Sequence, residues 1–149
     1  MKKMWFLIAI TILILAGFGL KTKPASSKNK LTIKNKVTIS ITIADTDQKR
    51  TQGYSNHSAI GYDEGLLFVF DQPDRYQFWM KDMLFDLDFI FINGNRVVYL
   101  LENVKAPVNN NNEVEYAISQ EPFDRLLEVK SGFIDKFNIK LKDTVYIEL

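Results

Sequence analysis

Apolar and polar side chains alternate from Leu31 to Ile43, and any fold of the chain must accommodate this alternation. Most of the apolar residues there are Ile or Val, and the residues between them are mostly Thr, Lys and Ser. A period of two with β-branched side chains predicts a β-strand with one buried face. The Asn35-Lys36 pair interrupts the stretch and predicts a bend that would divide it into a hairpin.

Seven further short apolar stretches predict the remaining strands. They cover residues 66–70, 76–80, 87–92, 96–101, 114–118, 126–129 and 144–149. The dipeptide Asn93-Gly94 predicts a tight turn between the third and the fourth of these stretches. Most neighbours in sequence are close enough to pair as antiparallel strands.

Two polar stretches predict short helices. One covers residues 45–52, with Asp45 or Thr46 as its N-cap and Gly53 as the residue that ends it. The other begins with Ser131 as the cap and runs to Phe137. The sequence therefore predicts an α+β, mainly β domain, which is barrel-like and antiparallel-dominated, with two short helices and one preceding N-terminal apolar helix.

That N-terminal helix is predicted from 17 residues without a charged side chain, Met4 to Leu20, which follow Lys2 and Lys3. As a helix they would be roughly 25 Å long, slightly short of a bilayer's hydrocarbon core. Residues 1–20 are therefore a signal anchor or a cleaved signal peptide, and the absence of an Ala-x-Ala cleavage site favours the anchor. The prediction is a single-pass protein of the cell membrane with its domain outside the cytoplasm, or alternatively a secreted one.

The rest of the chain divides into a tether and one domain. Residues 21–30 are polar, contain Pro24 and lack periodicity, which predicts a linker. Residues 31–149 form a single globular domain with 13 basic and 18 acidic side chains, a net charge of −5. An acidic body argues against nucleic acid as a partner, because phosphate binding requires a clustered positive surface.

The residue types that are scarce also restrict the chemistry. The chain has no cysteine and one histidine, which excludes disulfides, thiol nucleophiles and sites with two imidazoles. No phosphate-binding loop or nucleophile elbow is present. We therefore predict no cofactor.

Several motifs together resemble the family called domain of unknown function 192, over about residues 37–149. They are Asp63-Glu64-Gly65-Leu66-Leu67-Phe68-Val69-Phe70, Phe78-Trp79-Met80-Lys81-Asp82 and Leu87-Asp88. The resemblance implies a small β-rich, barrel-like domain, often behind a signal or anchor segment. It implies no particular activity.

Two charged residues next to large apolar neighbours are the first candidates for a site. Lys81 follows Phe78, Trp79 and Met80, and Asp88 lies between Leu87 and Phe89. Charges in apolar surroundings are costly unless they are paired or functional. They either form a structural ion pair or line a pocket in which Trp79 stacks on a ligand, with Glu64 as a further candidate.

Other polar residues receive structural interpretations. Asp86 and Asp88 form an Asp-x-Asp motif without the spacing of a calcium loop, so we predict no metal site. Gly65 either adopts a positive φ or allows close approach. Glu128 is expected to pair with Arg125 or Lys130.

The leading hypothesis is therefore a membrane-tethered extracytoplasmic module that binds a small molecule or an envelope component, or serves as an accessory protein. A carboxylate-dependent hydrolase acting on an envelope component is one alternative, and a protein-interaction domain is another. Two opposed acids across a cleft would favour the hydrolase, whereas an apolar cavity without them would favour binding.

Overall fold

A computed structural model describes residues 29–107 and 116–149. The predicted apolar helix lies outside the described residues, as does all of the predicted linker before Asn29. In the described ranges, no helix is both long enough and apolar enough to cross a membrane.

The described residues form nine strands and two short helices. In chain order they are β1 (Lys30–Ile33), β2 (Val37–Ala44), α1 (Asp47–Gln52), β3 (Glu64–Asp74), β4 (Gln77–Trp79), β5 (Leu87–Asn93), β6 (Arg96–Val104), β7 (Tyr116–Ile118), β8 (Phe123–Lys130), α2 (Phe133–Lys136) and β9 (Val145–Glu148).

Seven of the strands form one sheet in the order β6-β5-β8-β3-β2-β1-β9, and β4 pairs with β7 in a separate ribbon. All neighbours are antiparallel except β2 and β3, which are parallel and are connected through α1. Backbone hydrogen bonds from Val97 N to Asp143 O (3.0 Å) and from Val145 N to Asn95 O (2.9 Å) link β6 to the segment that leads into β9. The sheet is a half-barrel, and the mainly β, mostly antiparallel architecture with two short helices is as predicted.

Both predicted hairpins form. Asn35 has a φ of 60° in the turn between β1 and β2, and Gly94 has a φ of 57° between β5 and β6. Asparagine and glycine tolerate this left-handed conformation better than other residues, so each turn follows from its local sequence.

The two helices begin differently from each other. The Thr46 side chain caps α1 by accepting a hydrogen bond from Lys49 N (3.3 Å), and Gly53 follows the helix with a φ of 50°. The predicted Ser131 cap of α2 is wrong, because Gly132 occupies the N-cap position and no side-chain cap bond is formed there. The Ser131 hydroxyl instead hydrogen-bonds to the side chain of Asn103.

The sheet has two apolar faces. One packs against α2 and contains Leu67, Ile90, Leu127, Val129 and Phe133 in its cluster. The other is rich in aromatic residues and contains Phe68, Phe89, Phe91, Phe123 and Leu126. Side chains alternate along a strand, so consecutive residues of β8 face different clusters.

Candidate functional site

A carboxyl group lies within the aromatic face of the sheet. Glu128 is on β8, an interior strand of the sheet, opposite Leu66 of β3 and Phe89 of β5. Leu127 and Val129 face the cluster beside α2, so the alternation of β8 directs Glu128 to the aromatic side.

Glu128 is buried, and none of the ion pairs among the described residues includes it. The residue is 6% exposed, and its Oε2 atom has no hydrogen-bond partner. Burial disfavours the charged carboxylate and raises the pKa of Glu128 to about 8. The group is therefore mostly protonated at neutral pH.

The predicted pairing of Glu128 with Arg125 or Lys130 is wrong. The Arg125 guanidinium pairs with Asp124 at 2.9 Å, and Lys130 Nζ lies 5.1 Å from the centroid of the Tyr62 ring. Arg125 is an odd number of residues from Glu128 along the strand, so it points to the other face.

Glu128 lines a cavity of about 340 Å³ with aromatic walls. The Phe68 and Phe78 rings meet edge to face at a centroid distance of 5.2 Å, and Tyr76 stacks on Phe70 at 3.8 Å. The other hydrophobic side chains of the lining are Tyr54, Trp79 and Met83.

Helix α1 contributes a cation and an acid to the same cavity. Arg50 donates hydrogen bonds to the Asp47 carboxylate (2.6 Å) and to the carbonyl of Val69 (2.8 Å). Its Cζ atom lies 5.2 Å from the Phe70 ring centroid. The guanidinium is thus already held by a carboxylate, a carbonyl and an aromatic wall.

Tyr54 follows α1 and lies between two cavities. It is buried, and burial together with the charges of Glu128 and Glu64 raises the pKa of its phenol above the usual range. The second cavity, of about 470 Å³, shares Gln52, Gly53 and Tyr54 with the first. None of its lining side chains is a buried charged group, so the cavity above Glu128 is the stronger candidate site.

Trp79 is the one residue among the four predicted candidates that lines the cavity. Its side chain is 55% exposed, as expected of a group at the cavity mouth. Lys81 is exposed and is not part of the lining, but its carbonyl accepts a hydrogen bond from Ser55 Oγ (3.2 Å). Glu64 is also exposed, and its carboxylate accepts from Gly61 N (2.7 Å).

Asp88 is fully buried on the side of the sheet that carries α2. Its two carboxylate oxygens accept hydrogen bonds from Asn103 N (2.8 Å) and Ile134 N (2.9 Å). Among the described residues, no ion pair joins Asp88 to Lys81. Asp88 therefore supplies the cap that α2 lacks locally.

Asp86 faces different partners from Asp88. Its carboxylate pairs with Lys105 Nζ (2.7 Å) and accepts from Ala106 N (2.9 Å), and both contacts hold its pKa below the ordinary value. The described ranges contain no group of three or more histidine, aspartate or glutamate side chains arranged to hold a metal ion.

Sequence reasoning did not place Glu128 or Arg50 in a site. The available signal was a carboxylate inside the apolar stretch Leu126–Val129, which the strand alternation directs away from Leu127. That signal could not show whether the face opposite Leu127 is solvent or a second apolar cluster.

Comparisons with known proteins support the fold. The model of the family DUF192, described as Uncharacterized ACR, matches residues 29–147. No curated protein matches the chain significantly.

Two solved structures are similar. A protein from Sinorhizobium meliloti, called a "putative transcription regulator", has 23% identity and a TM-score of 0.66, covering 79% of this chain and 90% of its own. A protein of unknown function from Novosphingobium aromaticivorans has 25% identity and a TM-score of 0.67, covering 78% of this chain and 83% of its own.

Proposed function

Because the chain belongs to the DUF192 family, whose description names no activity, we propose a function from the geometry of its cavity. The protein is a membrane-tethered module outside the cytoplasm that binds a small molecule between the aromatic walls and Glu128. The regulatory name of the Sinorhizobium protein is not transferred, since 23% identity supports a shared fold only.

The observation that carries the proposal is the unpartnered Oε2 atom of Glu128. A buried polar group without a hydrogen bond costs stability, commonly about 1–3 kcal/mol. Such costs are concentrated at functional sites, where a ligand supplies the missing partner. A bound molecule with a polar group directed at Glu128 would supply the missing hydrogen-bond partner of Oε2.

The cavity suits a small ligand. Its volume of about 340 Å³ is near the lower end of the range of roughly 300–1,000 Å³ that is typical of ligand pockets. Six aromatic side chains form part of its walls, and a single buried acid at the wall would fix the orientation of the ligand. Trp79, half-exposed at the mouth, would cover the bound molecule.

The membrane attachment in the proposal relies on the N-terminal sequence. Residues 4–20 are apolar and follow two lysines, and residues 21–30 provide a polar tether. Strand β1 begins at Lys30, where the tether would end, so the domain would be held close to the bilayer surface.

Binding is favoured over hydrolysis because the described residues that line the cavity include no pair of opposed free acids. Asp47 and Glu128 are the two carboxyl groups that line it, and the Asp47 side chain is 98% exposed and paired with Arg50. A carboxylate pair that hydrolyses a glycoside has both groups directed at the scissile bond. One buried acid among aromatic rings is better suited to recognition.

The test is a ligand screen on the full-length protein by ligand-observed NMR and thermal shift, with a library of small neutral, cationic and anionic molecules. Ligands of the cavity should raise the melting temperature of the wild type. Trp79→Ala should weaken their binding, and Glu148→Gln, which alters an exposed carboxylate on β9, should bind like the wild type. A library without binders, or binders that Trp79→Ala and Glu128→Gln leave unaffected, would contradict the proposal.

A further inference from the structure

We propose that the ligand of this cavity is a small organic cation, whose ammonium group is held by the carboxylate of Glu128 and by the faces of the surrounding aromatic rings. The inference rests on the proposed function and specifies its ligand class. It follows from three properties of the cavity: a missing counter-charge, aromatic walls and a restricted size.

The missing counter-charge is the first property. The three basic side chains that flank Glu128 on β8 or line the cavity with it have other partners. Arg125 pairs with Asp124, Lys130 lies over the Tyr62 ring, and Arg50 is held by Asp47 and Val69. A ligand that brings a positive charge would supply the partner that the chain itself does not.

The aromatic walls are the second property. A cation is attracted to the face of an aromatic ring when it lies within about 6 Å of the centroid. Arg50 already lies 5.2 Å from the Phe70 centroid at the rim of the cavity, which shows that this wall accommodates a positive charge. Deeper in, the lining rings of Phe68, Phe78 and Tyr54 offer further surface to an ammonium ion.

The restricted size is the third property. A cavity of about 340 Å³ limits the ligand to a small molecule. At pH values where Glu128 is ionised, an anionic ligand is disfavoured, because it would place a second negative charge against Glu128. Among the described lining residues, its counter-charge would be Arg50, which is already paired with Asp47.

Binding of a cation requires Glu128 to give up its proton. In the free protein burial holds the pKa of Glu128 at about 8, so at pH 7 the cation binds as one proton is released to solvent. The other ionisable side chains of the described lining are Asp47, Arg50, Tyr54 and Tyr76. Glu64 is not part of the lining, but its charge acts on Tyr54. On the flanking strands β3 and β5, the directly paired residues are the apolar Leu66 and Phe89.

The phenol of Tyr54 stays neutral between pH 7 and pH 9, because its pKa is raised above the usual value. The chain's single histidine, His57, contacts the Tyr54 ring at a centroid distance of 5.5 Å. It must therefore be controlled for in any pH experiment.

The experiment compares choline with its neutral carbon isostere, 3,3-dimethylbutan-1-ol, on the full-length protein at pH 7 and pH 9. Trimethylammonium and methylammonium are included as smaller cations. Choline carries the same charge at both pH values, so any change in its affinity comes from the protein. Dissociation constants are measured by ligand-observed NMR.

The expected result is a dissociation constant for the cations about tenfold lower at pH 9 than at pH 7, because the ionised fraction of a group with a pKa near 8 rises about tenfold. The neutral isostere should bind more weakly than choline at pH 9 and should gain nothing from the higher pH. Glu128→Gln should abolish the pH dependence, and His57→Gln and Glu148→Gln should preserve it.

Two results separate the inference from the proposed function. If neutral molecules bind in the cavity and no cation gains affinity between pH 7 and pH 9, the cation inference is wrong and the binding function stands. If no molecule of any charge binds, the proposed function fails with it. A thermal unfolding curve for Glu128→Gln establishes that the variant is folded before either conclusion is drawn.

Discussion

Glu128 makes the stability of the protein depend on pH. Its pKa rises from an ordinary 4.5 to about 8 when the side chain is buried in the native state. Below pH 4.5 the group is mostly protonated in both states, so its ionisation does not affect stability. Between the two values it is protonated in the native state and ionised in the unfolded state, so rising pH favours unfolding.

Replacing Glu128 with Gln should therefore flatten the pH dependence of stability. The wild type should lose about 5 kcal/mol of unfolding free energy relative to Glu128→Gln between pH 4.5 and pH 8, at about 1.4 kcal/mol per pH unit. Urea unfolding of both proteins at one-unit intervals measures the difference. If the unfolding free energies of the two proteins changed in parallel between pH 4.5 and pH 8, Glu128 would be ionised in the native state over that range.

Asp88→Asn should destabilise the protein by about 1–3 kcal/mol, because an amide presents only one acceptor to the two backbone N–H groups of Asn103 and Ile134.

Lys81→Met should change stability by less than about 0.5 kcal/mol, since Lys81 is exposed.

The double variant decides between this arrangement and an ion pair. The effects of Asp88→Asn and Lys81→Met should add to within about 0.5 kcal/mol in urea unfolding. A coupling energy well above that value would mean that the two side chains interact directly, contrary to the contacts of Asp88 described above.

At the residue scale, the sequence indicated which side chains are unusual but not what each one does. Trp79 and Asp88 both stood out because of their neighbours, and one lines the cavity while the other caps α2. The alternation of side chains along a strand tells which residues share a face. It does not tell what covers that face, which depends on where α1 and the β4–β7 ribbon lie.

At the element scale, local signals were sufficient for strands and turns. The alternation of residues 31–43 and the Asn93-Gly94 turn each predict a hairpin that the structure contains. The parallel pairing of β2 with β3 was not predicted, because it depends on the crossover through α1 rather than on either strand. The start of α2 was missed for a similar reason, since Asp88, 46 residues away from Ile134, provides its cap.

Gly65 is an element-scale feature with a measurable consequence. The sequence left open a positive φ or a close approach, and Gly65 is not among the described residues of positive φ. A Cβ atom there would lie 3.0 Å from Leu127 Cδ1, 3.1 Å from the Glu128 carbonyl oxygen and 3.2 Å from Ile39 Cδ1. The glycine therefore lets β3 pack closely against β8.

Gly65→Ala should lower the unfolding free energy by about 1–3 kcal/mol, the usual cost of overpacking a core. Gly94→Asn is the matched control, because Gly94 has a φ of 57° and nothing within 4 Å of its added Cβ. Asparagine tolerates that conformation, so the control should lose less than about 1 kcal/mol. Equal losses for the two variants in urea unfolding would refute the close-packing explanation.

At the scale of the whole molecule, the two faces of the half-barrel differ in character. One face of the sheet packs against α2, and it contains Leu67, Ile90 and Leu127. The aromatic face carries the cavity and the buried acid. The proposed binding site and the core beside α2 therefore lie on different faces of the same sheet.

The predicted tether concerns the whole molecule as well. Full-length protein should sediment with membranes and resist a carbonate wash, because residues 4–20 would be inserted in the bilayer. Deletion of residues 1–28 should transfer the protein to the soluble fraction. The deletion should end before Asn29, because the Asn29 carbonyl accepts a hydrogen bond from Ile41 N (3.0 Å) at the start of the sheet.

Amino-terminal sequencing of the mature protein distinguishes the anchor from a cleaved signal peptide. An anchor retains Met4 to Leu20, so the mature chain should begin at or near Met1 and remain in the membrane fraction. A start between Leu20 and Lys30, with the protein outside the cell, would establish the secreted alternative. A protease added to intact spheroplasts should degrade the domain in the anchored form, and a protected domain would place it in the cytoplasm, contrary to the proposed orientation.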